Sequence, residues 1–196
     1  MRGAAFDLTP GGILLLAVLY FLGDVQIFAA LLFSAAIHEW GHGAALKLCG
    51  CRVTRVRLDG TGLCMDYRGP RLSRPKAFFV AAAGPAAGAL GAWVTSFWGN
   101  WFGSPFLLLC AGTGLILTVF NLLPARPLDG WRMLTALCPP LAEPVSFAAA
   151  LTVMTAGLWC AARGTGIGLA VIGAILLWQG SGEPACLPHT RKNRVA

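Results

Sequence analysis

Long apolar runs separated by short polar stretches set the pattern of this chain. The first run, Gly11 to Leu22, is short for a membrane span. With Leu8 and its neighbours it predicts a helix over 8–23 that just crosses the ~30 Å hydrocarbon layer. A secretory signal is the alternative reading; Arg2 supplies a positive start, but no small-residue cleavage pattern follows Leu22. The second run, 26–48, would rise about 34 Å as a helix. Further spans are predicted over 76–99, 105–123, 145–162 and 166–179. Between Gly50 and Arg74 the period changes from helical to alternating. Arg55-Val56-Arg57-Leu58 and Leu63-Cys64-Met65-Asp66-Tyr67 flank the turn residues Asp59-Gly60-Thr61-Gly62, which predicts a β-hairpin over 52–68.

The expected fold class is therefore all-α transmembrane, a polytopic bundle of about six spans with a small β-hairpin on its cytoplasmic side. Composition supports it: 57% of the 196 residues are hydrophobic, 12% are charged and mean hydropathy is +0.69, outside the range of ordinary soluble domains. The polar stretches are too short for a second unit, so residues 1–196 read as one integral-membrane domain. The formal charge of +7 would suit nucleic acid, yet the basic residues cluster between apolar runs. In the six-span arrangement, fourteen of the fifteen fall on one side and only Arg163 on the other. That division follows the positive-inside rule, so nucleic acid is not an expected partner. The lipid bilayer is, and a multi-pass protein of the cell membrane with both termini cytoplasmic is expected. Phe97, Trp98, Trp101 and Phe102 then sit at the outer interface. Seven scattered cysteines give no disulfide framework, so reduced thiols are expected. Gly84, Gly88 and Gly91, around Pro85, have the spacing of close helix packing, with a hinge at Gly84-Pro85 as the functional alternative.

Chemistry enters at His38-Glu39-Trp40-Gly41-His42, an H-E-x-x-H motif on the second predicted span. Residues four apart share a helix face, so His38 and His42 can both reach one zinc while Glu39 addresses its bound water. A pair of buried, hydrogen-bonded histidines is the plain alternative. Three ionisable groups within five residues at membrane depth cost roughly 2.5–3.5 kcal/mol each, which argues for a metal instead. A catalytic zinc takes three protein ligands and keeps a fourth position open. Few acids are available for the third. Asp24 lies on the outer side, Asp59 in the hairpin turn and Asp66 on a strand. Asp129 follows Asn121-Leu122-Leu123-Pro124-Ala125-Arg126-Pro127-Leu128, which breaks the fourth span at the depth of His42. The prolines end helical pairing, tolerable there only in a protein-lined or wet cavity. For Asn121 and Asp129 the plain alternative is a capped helix end and a turn.

With H-E-W-G-H at 38–42, Gly84-Pro85 in the third span, N-L-L-P-A-R-P-L-D-G at 121–130 and this order of spans, nearly the whole chain resembles the site-2 proteases. These are intramembrane zinc metalloproteases, and the likeness within them is to the bacterial stage IV sporulation protein FB type. The resemblance implies that His38, His42 and Asp129 hold one Zn2+ per chain, that Glu39 is the general base, and that Asn121 helps position substrate. It implies a metalloendopeptidase of bacterial origin, cutting membrane-associated protein substrates near the cytoplasmic face in regulated intramembrane proteolysis, with a membrane regulatory or inhibitory protein as a further partner. Sporulation-type members often carry a nucleotide-sensing domain after the last span; the sequence continues only a short way past Gln179, so neither regulation by ATP nor a sporulation role is carried over as an expectation. The hairpin is expected either to hold an extended substrate by adding a strand or to plug the cytoplasmic mouth. A metal-ion transporter and a non-catalytic membrane scaffold are the competing classes. The first has no need of Glu39 beside a ligand, and the second would normally have lost a ligand or the base.

Overall fold

The computed structural model describes residues 5–59 and 62–180. Seven helices and three strands follow in the order β1 (Ala5–Leu8), α1 (Pro10–Leu22), α2 (Val25–Leu48), β2 (Arg52–Asp59), β3 (Gly62–Arg68), α3 (Arg74–Phe102), α4 (Pro105–Asn121), α5 (Asp129–Leu137), α6 (Pro139–Ala162) and α7 (Gly168–Gly180). Helix starts carry their local signals. The Thr9 hydroxyl accepts the Gly12 amide and the Asp24 carboxylate accepts the Gln26 amide, while proline opens α1, α3, α4 and α6. At the other end of α3, Gly103 adopts a left-handed conformation (φ 60°) and closes the helix.

Each of the six predicted spans coincides with a helix, but the lengths differ. Two helices, α3 and α6, are long and apolar enough to cross a membrane by length and composition; α1, α4 and α7 are apolar and shorter. The fifth predicted span begins earlier than expected, at Pro139, because Pro144 lies only one turn inside α6, where a proline is least disruptive. Leu8 is no part of the first helix. It belongs to β1, a strand with no alternating pattern long enough to announce itself, which pairs parallel to β2 with Leu8 opposite Leu58. The hairpin stands where alternation placed it, with β2 and β3 antiparallel and an irregularity between Val53 and Arg55. The sheet order is β1-β2-β3, so β3 is an edge strand. The turn residues Gly60 and Thr61 lie outside the described residues.

Helix α3 packs against α2, α4 and α5, and α6 packs against α7. Outward faces carry many large apolar side chains, with Leu90, Trp93, Ile116, Phe147 and Trp159 all well exposed. This is the inverse of a soluble protein and the expected surface for lipid. At the far end of α3 from the hairpin, Phe97 stacks with Trp101 and Trp98 with Phe102, while Phe97 meets Trp98 edge to face. Among the described cysteines Cys49, Cys51, Cys110, Cys138 and Cys160 are free thiols. Cys64 is disulfide-bonded, which departs from the expectation of reduced thiols throughout.

Candidate metal centre

Four residues apart on α2, His38 and His42 point the same way, toward α3 and the start of α5. Pro124 and Pro127 stop α4 from continuing, and the chain turns through 122–128 before α5 starts at Asp129. That turn is anchored from behind. The Arg126 amide donates to the Ser146 hydroxyl at 2.9 Å, the Arg126 guanidinium meets Glu143 at 3.3 Å and lies 4.7 Å over the Trp131 ring, and Ala125 is fully buried against Ala150 and Leu176. A Cβ on Gly130 would run into the Leu122 and Leu123 carbonyls, so only glycine lets α5 begin this close to the end of α4. The sequence reading expected Asp129 in a broken segment; it opens a nine-residue helix instead.

The result is a convergence of three buried side chains from α2 and α5. His38 Nε2 stands 2.9 Å and His42 Nε2 3.1 Å from Asp129 Oδ2, and the two Nε2 atoms are 3.2 Å apart. His42 Nδ1 lies 2.8 Å from the Val80 carbonyl of α3. A carbonyl can only accept, so Nδ1 carries the proton and a neutral His42 turns the lone pair of Nε2 toward a carboxylate oxygen. Two acceptors 3.1 Å apart repel unless a proton or a metal ion lies between them. Donors about 2.0–2.1 Å from a tetrahedral ion stand roughly 3.3 Å apart, close to the three separations seen here. His38, His42 and Asp129 therefore fit a small divalent metal ion, with all donor atoms within 4.8 Å of one another.

This cluster borders a cavity of about 710 Å³. Glu39 and Asn121 line the same cavity, so all five residues singled out from the sequence meet there. The Asn121 amide group donates to the Leu117 carbonyl of its own helix, leaving its carbonyl oxygen for other partners. Along one side runs the edge strand, Leu63 to Tyr67, and burial pushes the Tyr67 phenol above its ordinary range, which keeps it a neutral hydroxyl. Asp66, considered as a rival ligand, is paired with Arg57 at 3.3 Å. The profile of one peptidase family, described as Peptidase M50B-like, matches residues 12–155, a stretch that holds every one of these side chains. The chain belongs to the Peptidase M50B-like family.

No curated protein matches this M50B-like chain in sequence. Among solved structures it is similar to the Site-2 Protease from Methanocaldococcus jannaschii, with a TM-score of 0.72 over 95% of this chain and 94% of that one. At 20% identity the likeness establishes a common fold. Sequence reasoning missed two contributors to the M50B-like site. Arg132, one turn into α5, places Nη1 3.7 Å from Asp129 Oδ1, the carboxylate oxygen turned away from the histidines. Gly84 provides the seat for the two rings. A Cβ there would overlap the His42 ring and stand 2.8 Å from His38 Nε2. The Gly84-Pro85 pair signalled close packing, but its spacing could not say that imidazoles fill the space.

Proposed function

We propose that this chain is an intramembrane zinc endopeptidase in which His38, His42 and Asp129 hold one zinc, Glu39 is the general base and Asn121 positions the substrate. The observation that carries it is the meeting of three buried metal-fitting donors with Glu39 and Asn121 on one 710 Å³ cavity, in a chain of a peptidase family. Zinc, when bound, supplies a Lewis acid for the scissile carbonyl and an acidified water. Glu39, whose carboxylate lines the same cavity, would be the base that takes a proton from the attacking water and returns it to the leaving amide nitrogen. The Asn121 carbonyl oxygen accepts from a substrate backbone amide. A helical substrate hides its peptide bonds, so the cut stretch must be extended. The outer edge of β3, which pairs with no further strand among the described residues, would hold it as an added strand, with Leu63 to Tyr67 forming the cavity wall.

The substrate class is a membrane-associated protein. The whole chain acts as one domain with six helices in the bilayer, and the hairpin, the turn before α5 and both termini face the cytoplasm, on the strength of the basic-residue distribution. Cleavage is then near the cytoplasmic face. The test is incubation of purified protein and zinc with single-span substrates, with fragment masses read out, alongside Glu39→Gln. That variant is expected to lose about 10²- to 10⁴-fold in cleavage while keeping one zinc per chain, because the base is not a ligand. Retention of more than about a hundredth of the activity rejects Glu39 as the base. Zinc uptake into vesicles without any cleavage would point to a transporter instead.

A further inference from the structure

The two histidines of the cluster differ in how their outer nitrogens are held. His42 Nδ1 has the Val80 carbonyl. His38 Nδ1 is buried and has no hydrogen-bond partner among the described residues. A metal-facing imidazole needs its other nitrogen fixed, because that bond decides which nitrogen carries the lone pair. An unmet N–H at this depth also costs the full price of desolvation.

The Thr118 hydroxyl on α4 is, like Arg126 Nε and Trp131 Nε1 near the start of α5, another buried group without a hydrogen-bond partner among the described residues. Other helical threonines turn this group back on their own helix. Thr95 bonds to the Gly91 carbonyl, Thr113 to Leu109, Thr135 to Trp131 and Thr152 to Ala148, at 2.8 to 2.9 Å. Thr118 does not. Its Oγ1 occupies the notch left by the missing side chain of Gly88, 2.5 Å from where a Cβ would stand, and His38 Nδ1 is 3.6 Å from that same point. Thr118 and His38 are 5% and 4% exposed, so neither group can find bulk water.

Resting on the zinc reading above, we infer that Thr118 is the positioning residue for His38, its Oγ1 held to the Nδ1 proton across Gly88 through one bridging water, so that Nε2 is the metal-facing nitrogen. Such a water would have both groups as partners. Gly88 is then required as glycine because the hydrogen bond occupies the space of its side chain. The α4 helix thus contributes to the centre without supplying a ligand, and it acts on the ring rather than on the substrate.

The test is zinc affinity of the purified full chain by chelator competition, which does not depend on turnover. Thr118→Val keeps the shape and removes the hydroxyl, Thr118→Ser restores it, and Thr95→Val controls for loss of a buried hydroxyl that bonds within its own helix. Outer partners of metal-bound histidines are typically worth 10- to 100-fold in affinity. Thr118→Val is expected to weaken zinc by about that factor, with Thr118→Ser within about threefold of the parent protein and Thr95→Val unchanged. Cobalt substituted for zinc should show an altered ligand-field spectrum in Thr118→Val alone. Affinity and cobalt spectrum unchanged in Thr118→Val, or Thr118→Ser as defective as Thr118→Val, would overturn the assignment while leaving the zinc centre intact. A parent protein that fails to hold zinc would overturn both.

Discussion

Among the glycines where described helices meet, two pairs can be set side by side, and what fills the space differs between them. Between α6 and α7, Gly157 faces the backbone of Ala170, and Gly173 faces Met154, whose Cα and N lie 2.5 and 2.6 Å from the position of an added Cβ. Backbone meets backbone, the close approach typical of helices in lipid, where packing replaces the hydrophobic drive. At Gly84 and Gly88 of α3 the neighbours are the His42 and His38 rings and the Thr118 hydroxyl. The same absence of a side chain makes room for backbone in one region and for the rings and hydroxyl of the candidate metal centre in the other. Nearby threonines repeat the contrast. Thr152 and Thr155 on α6 face outward and bond within their helix, whereas Thr118 is buried with its hydroxyl left over.

Asp129→Asn should give the largest effect in the site region. The charge that offsets the metal is lost, zinc should weaken by at least about a hundredfold, and cleavage should fall with it. Chelator titration monitored beside a thermal melt separates metal loss from misfolding. Retained zinc and normal turnover would remove Asp129 from the ligand set.

Next in size is the paired substitution that probes the comparison directly. Gly84→Ala pushes on the His42 ring and should cost about ten- to a hundredfold in zinc affinity with the helices still assembled. Gly157→Ala has no side chain to displace, so α6 and α7 must move apart. A loss of about 1–3 kcal/mol in unfolding stability is expected, with unchanged zinc affinity in the protein that remains folded. If the two variants lose metal and stability in the same proportion, the distinction between the regions fails. The smallest effect belongs to Asp66→Asn. Its partner Arg57 and Asp66 itself are both 35% exposed, so about 1 kcal/mol or less is at stake, and zinc content should not change.

What the sequence determined by itself is what short-range rules can carry. Apolar runs located six of the seven described helices, alternation located β2 and β3, and the four-residue spacing of His38 and His42 put both on one face. The scarcity of acids left Asp129 as the outstanding candidate to join them. Element ends were less legible, because Pro139 and Pro144 mark the start of α6 in a way that periodicity does not register. β1 and α5 were absent from the reading for a related reason. Four residues of strand and nine of helix carry too little pattern, and they exist through partners elsewhere, Leu58 for one and the packing against α3 for the other. Tertiary structure alone decided the contacts that turn a motif into a centre. Asp129 meets His38 across 91 positions of sequence, and Val80 of α3 sets the tautomer of His42 from 38 positions away. Which ring fills the notch of Gly84, and which hydroxyl that of Gly88, depends on how three helices cross. Spacing along a chain records none of that, since a crossing is a property of packed surfaces and not of any one segment.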